Sequence, residues 1–222
     1  MPTAASRTFS VRHAQLARAL FAAIAAVMIT FSPDHSAAVG LAVFSGFALS
    51  TALLLALAAW LVASPGGRWP YVLLAAIGFL AGMASGVAIW RTTVLFFVVV
   101  IAWGALSGLV ELLAGLRARK AALAAGQPTD VARDHILVGV FGLLLAVAVA
   151  VVPAQYAWGY TIEGAGDFVL TGITLAVGIF GLYAAFVAVF LGIAGLSPRA
   201  AASSAVEDAD AAATTAERGG VA

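Results

Sequence analysis

Six long apolar stretches constrain this chain more than any other feature. They occupy residues 14–31, 37–63, 69–90, 92–116, 136–152 and 168–196. Roughly 20 apolar helical residues cross a bilayer core about 30 Å thick. Backbone inside lipid must satisfy its own hydrogen bonds, which a helix does within one segment. Hydrophobic residues make up 64% of the chain and charged residues 9%, whereas about a quarter of a soluble domain is charged. Such a chain cannot cover its surface with polar groups in water. The sequence therefore predicts an all-α polytopic membrane protein with six transmembrane helices and the lipid bilayer as its direct partner.

The breaks between stretches carry turn chemistry. Ser32-Pro33-Asp34-His35 reads as a turn, and Ser64-Pro65-Gly66-Gly67 ends the second span. Pro70 then falls in the first turn of the third span, where its missing N–H costs nothing. Only Trp90-Arg91-Thr92 separates spans three and four, so these should form a tight hairpin. Residues 117–134 form a polar loop with a helix N-cap expected at Thr129 or Asp130. The fifth span is short, and the sixth is long enough to tilt or bend at a glycine. The domain plan is a short N-terminal segment, 1–13, a six-helix membrane domain, 14–198, and a tail, 199–222. The tail is Ala-, Ser- and acid-rich, a composition expected to stay disordered.

With six spans and a cytoplasmic N-terminus, every Lys and Arg except Arg91 falls in or beside an inside segment. This agrees with the excess of positive charge in cytoplasmic loops and puts both termini in the cytoplasm. The competing reading of the first span is a cleaved signal peptide, since the run 19–31 follows Arg12 and Arg18 and precedes Ser36-Ala37-Ala38. Arg18, near the start of that span, is expected to snorkel toward the headgroups. The breaks near Pro33, Arg91 and Pro153 are almost evenly spaced, which suggests three helical hairpins laid end to end.

Glu111 stands out among the polar residues. A carboxylate in a transmembrane helix costs about 2.5–3.5 kcal/mol at the helix centre and is a functional candidate by default. Gly104, Gly108 and Gly115 share its helical face, so it lies on a small-residue stripe suited to helix packing. Glu111 reads first as part of a helix interface, paired with Arg68, Arg117 or Arg119. A proton- or substrate-linked role is the alternative. Gly78, Gly82 and Gly86 form a second stripe, expected to pack span three on span four, with homo-oligomer formation through the glycine faces as the other use.

Most aromatics fall at span ends, as in an interfacial belt: Trp60, Trp69, Trp90, Tyr156, Trp158 and Tyr160. Trp103 looks internal. Residues 156–160 read as a re-entrant or surface-lying turn with no binding-site signature. Glu163 and Asp167 form an acidic pair in the same outside loop. His13, His35 and His135 are scattered, with no metal-ligand spacing. The chain has no cysteine, which removes disulfides, thiolate sites and Cys nucleophiles. Catalytic motifs are absent, and Gly164-Ala165-Gly166 lacks the strand–helix context of a nucleotide loop. No cofactor and no enzymatic activity are expected. A net charge of +1 gives no basic field for nucleic acid.

The fourth span, Ala102-Trp103-Gly104-Ala105-Leu106-Ser107-Gly108-Leu109-Val110-Glu111 and onward to Arg117, resembles the second helix of the short repeat in HdeD-like membrane proteins. In that repeat an apolar helix carries Trp, a Gly three residues before a Glu, and an Arg shortly after. Residues 78–90 resemble the repeat's first helix, although Arg91 stands where the family usually has Pro. The resemblance covers residues 71–120, extends weakly over 18–63 and poorly over 136–196. It implies a six-helix bacterial inner-membrane protein, non-enzymatic, with a role in envelope or acid-stress tolerance. In that role the outside acidic loop and Glu111 would be the proton-sensitive parts. The alternative is a small transporter or channel with Glu111 in its pathway. An arginine-dominated basic set, with Lys120 the single lysine, points to a high-GC bacterium.

Overall fold

The structure is a computed structural model and describes residues 11–61, 63, 67–164 and 166–197. The N-terminal residues 1–10, most of the Ser64-Pro65-Gly66-Gly67 turn, Ala165 and the tail 198–222 lie outside the described residues. Six helices run in chain order: α1 Val11–Phe31, α2 Ala37–Leu61, α3 Trp69–Gly86, α4 Thr93–Ala124, α5 Asp130–Ala150 and α6 Gly172–Leu196. All six are long and apolar enough to cross a membrane.

Local chemistry explains the ends. Asp34 and Ser36 cap α2, with Asp34 Oδ1 accepting from the Ser36 N–H at 2.8 Å and Ser36 Oγ from the Val39 N–H at 3.4 Å. Thr92 caps α4 by accepting from the Leu95 N–H, and Thr171 caps α6 by accepting from the Thr174 N–H. Thr129 occupies the N-cap position of α5 without a side-chain bond. Gly126, at φ 64°, turns the chain out of α4 in a conformation that suits glycine. A single 3-10 turn, Ala88–Trp90, reverses the chain between α3 and α4. There Arg91 donates to the Ser85 and Gly86 carbonyls left open at the end of α3.

The elements depart from expectation in two places. α4 runs on to Ala124 and α5 begins at Asp130, so most of the expected polar loop is helical. Arg117, Arg119 and Lys120 extend the helix as good helix formers do. The loop before α6 is a two-stranded antiparallel hairpin, β1 Ala157–Ile162 with β2 Gly166–Thr171, in register from Ala157 opposite Thr171 to Ile162 opposite Gly166. The start of the expected sixth span is thus strand β2. Its Phe-Val-Leu-Thr run suits a strand as well as a helix.

The most extensive helix pairs are α4 with α5, α1 with α6 and α2 with α3. The consecutive pairs α1–α2, α3–α4 and α5–α6 also touch, less extensively. The expected packing of the α3 glycine stripe on α4 is therefore corrected: Gly78 and Gly82 press on Ala48, Leu49 and Ala52 of α2. Ser45 of α2 seals that seam by donating to the Gly82 carbonyl at 2.8 Å. At the α1–α6 seam Gly181 admits Ile29 and Gly195 admits Leu16.

The centre of the bundle is aromatic. Phe44 and Phe47 of α2, Trp103 of α4 and Phe180 of α6 meet edge to face, with ring centroids 5.4–5.8 Å apart. Trp103 is buried, as its internal position suggested, and Tyr183 packs on its other side at 5.8 Å. Trp60, Trp90 and Trp158 are more than half exposed.

Candidate functional site

The site is built where α4 and α5 cross backbone to backbone. A Cβ added at Gly108 would lie 2.8 Å from the Gly139 carbonyl oxygen, one at Gly104 2.9 Å from the Gly142 oxygen, and one at Gly115 2.8 Å from the Ile136 nitrogen. The stripe on the Glu111 face is thus used to its limit, on α5. Such close approach substitutes van der Waals contact for the hydrophobic drive that lipid does not supply. It also carries His135, one turn before Gly139 on the same face of α5, up against Glu111.

Glu111 is 2% exposed, and both carboxylate oxygens are taken. Arg18 of α1 donates from Nη2 to Oε1 at 2.7 Å, and His135 Nδ1 lies 2.5 Å from Oε2. An ionised carboxylate only accepts, so His135 carries a proton on Nδ1, whether the ring is neutral or charged. One turn earlier on α1, Gln15 donates to Asp134 Oδ2 at 2.8 Å. Helices α1, α4 and α5 are thereby joined at one level by a polar cluster centred on the buried Glu111. Tyr71 of α3 meets the His135 ring edge to face at 6.1 Å.

Two small cavities meet at this cluster. One is lined by Gln15, Arg18, Tyr71, Glu111, Asp134 and His135. The other runs toward the aromatic centre past Thr51, Trp103, Ser107 and Tyr183. They share Arg18, Leu55, Glu111 and Val138. Each has about 20 Å³ of free space, room for about one water. Ser107 Oγ is satisfied by the Trp103 carbonyl. Thr51 Oγ1, by contrast, is buried without a hydrogen-bond partner among the described residues.

Several expected partners are replaced. Arg18 turns inward to Glu111 rather than snorkelling outward. Arg117 sits over the Trp69 ring, 5.0 Å from its centroid, and Arg68 donates to the Ala63 carbonyl. Neither pairs with Glu111. The sequence reading missed His135, Gln15 and Asp134 as site residues. A signal was present: Arg18 and Glu111 are lone opposite charges within apolar stretches, at similar depths from the same expected membrane face.

Glu163 and Asp167 do not join the cluster. Both are exposed on the β-hairpin, where Asp167 accepts from the Thr161 hydroxyl at 2.6 Å. Among the described residues no three His, Asp or Glu side chains are grouped to hold a metal. No family model, curated protein or solved structure matches the chain.

Proposed function

We propose that this chain is a non-enzymatic, HdeD-like protein of the bacterial inner membrane, with both termini cytoplasmic, that contributes to envelope or acid-stress tolerance. The Arg18–Glu111–His135 cluster is its proton-sensitive part. One observation carries the reading: a carboxylate 2% exposed within a span is held from both sides by cations or potential cations of two other helices. A buried pair of this kind is strongly destabilising to break, because the surviving charge is left largely out of water. A positive charge on the His135 ring strengthens its hold on Glu111. A proton added to Glu111 removes an acceptor from Arg18 and loosens α1 from α4. The polar groups facing the cluster are Gln15 from α1, Tyr71 from α3, Asp134 from α5 and Tyr183 from α6, while the α2 residues lining the cavities, Ala48, Thr51, Ala52 and Leu55, carry no charge.

A second reading, a small proton-linked transporter with Glu111 in the pathway, draws on the two cavities meeting at Glu111 and on the unpartnered Thr51 hydroxyl. Two measurements separate the readings. The first is survival of an acid challenge by a bacterial host expressing the wild type or Glu111→Gln. Protection by the wild type alone supports the stress reading, and equal survival with and without the gene refutes it. The second is proton flux across an imposed pH gradient in proteoliposomes. Flux that disappears in Glu111→Gln makes the carboxylate a relay and favours the transporter.

A further inference from the structure

The β-hairpin has a role of its own to explain. Side chains alternate across a strand, and the register places Trp158 opposite Leu170, Tyr160 opposite Phe168 and Ile162 opposite Gly166. One face therefore carries Trp158, Tyr160, Ile162, Phe168 and Leu170, with no charge. The rings form a strip: Trp158 lies 6.1 Å from Tyr160, which stacks on Phe168 at 5.8 Å. The other face carries Gly159, Thr161, Asp167 and Thr171, together with Ala157 and Val169. Glu163 sits in the turn, which closes through Gly164 and Gly166 at φ 82° and 101°. The hairpin is thus amphipathic, yet among the described residues its aromatic face is exposed and no helix covers it: Trp158 is 58%, Ile162 47% and Phe168 41% exposed.

Its attachment limits where that face can lie. Strand β2 runs into α6 with no linker, and the Gly172 N–H donates to the Tyr156 carbonyl at 2.8 Å. A Cβ on Gly172 would come within 2.2 Å of the Pro153 carbonyl oxygen, so the base of the hairpin is pinned to the end of α5. At ~3.3 Å per strand residue, Phe168 reaches no farther than ~13 Å from the start of α6. The hairpin is therefore confined to the zone where α5 and α6 leave the apolar layer. The exposed apolar side chains of those helices, Leu144 and Val147 on α5 and Leu182 and Phe186 on α6, run toward the same zone. Neutral Trp and Tyr rings with polar edges are the side chains that settle among lipid headgroups.

We propose that the hairpin lies on the membrane surface with its Trp158–Tyr160–Phe168 face in the lipid headgroup layer and its Thr161–Asp167 face in water. It acts as an interfacial anchor beside α5 and α6. The proposal rests on the six helices crossing the membrane and is independent of the acid-stress reading. Because the chain lacks cysteine, spin labels can be placed singly without background. Ile162→Cys puts a label on the aromatic face and leaves the three rings intact. Gly159→Cys puts one on the other face, where an added Cβ meets nothing within 4 Å. The full-length variants are reconstituted in phosphatidylcholine vesicles, and collision with oxygen, which concentrates in lipid, is compared with collision with a water-soluble nickel complex. The expected result is an oxygen-to-nickel ratio several-fold higher at position 162 than at 159. Equal, nickel-dominated ratios at both positions would mean a hairpin standing in water and would overturn the proposal. So would shielding of position 162 from both reagents with broadening between labels, the mark of a second copy seated on the strip. A normal α-helical spectrum and elution volume for Gly159→Cys establish that the labelled protein is folded.

Discussion

Replacing Gly139 by alanine tests the packing on which the charged cluster depends. The added Cβ would sit 2.5 Å from the Leu112 nitrogen, 2.8 Å from the Gly108 oxygen and 2.9 Å from Leu112 Cα. All three are backbone atoms of α4, so no side chain can swing aside. Ordinary contact begins near 3.4 Å, and α5 must back away from α4 by roughly 1 Å, a displacement of the kind that costs about 1–3 kcal/mol in a packed interior. Alanine returns about 1 kcal/mol through its better helix propensity. The same displacement stretches the 2.5 Å His135–Glu111 contact past hydrogen-bonding range, which removes that return. The net expectation is a loss of about 1–3 kcal/mol. Gly178→Ala on α6 is the matched control, because a Cβ there meets nothing within 4 Å. The assay is reversible unfolding in mixed micelles with increasing dodecyl sulfate, followed by circular dichroism. If Gly139→Ala proves as stable as Gly178→Ala, α4 and α5 are not in backbone contact at this level and the reasoning fails.

Glu111→Ala should cost about 3–5 kcal/mol by leaving Arg18 buried without its counter-charge. The double variant Arg18→Met, Glu111→Leu should recover most of that loss in the same unfolding assay. Gly172→Ala should prevent the hairpin from closing on α5, seen as protease cleavage within residues 154–171, while Gly159→Ala leaves that region protected. Thr51→Val removes a buried hydroxyl that lacks a partner and should raise stability by about 1 kcal/mol. A fall of that size instead would show that the hydroxyl is held by an internal water.

The number and approximate position of the six helices were legible because a membrane span needs a run of apolar residues that local sequence alone supplies. Pro70 and Thr92 marked helix starts for equally local reasons. Partner choice was not legible. Gly78 and Gly82 announce a close approach but carry nothing that says whether α2 or α4 will fill it. Tyr156, Trp158 and Tyr160 suggested an interfacial segment, yet the β-hairpin depends on cross-strand register and on Gly164 and Gly166 taking positive φ. Neither leaves a hydropathy signal. Glu111 and its glycine face were found from composition and helical spacing. His135 was overlooked because, taken alone near a span boundary, a histidine is unremarkable. Only the crossing at Gly108 and Gly139 brings it to the carboxylate.

The order in which the ribosome delivers these helices gives the Arg18–Glu111 bond a further meaning. The two residues are 93 positions apart. At ~5–20 residues per second, Arg18 is synthesised roughly 5–20 s before its counter-ion exists. His135 follows later still, and α1 meets its main companion α6 only when the last helix arrives. During that interval the guanidinium must stay among headgroups or in the insertion machinery, so α1 cannot take its final depth. The inward turn of Arg18 thus becomes a late step of biogenesis, and a nascent chain halted before α4 would hold its first helix closer to the water than the finished protein does.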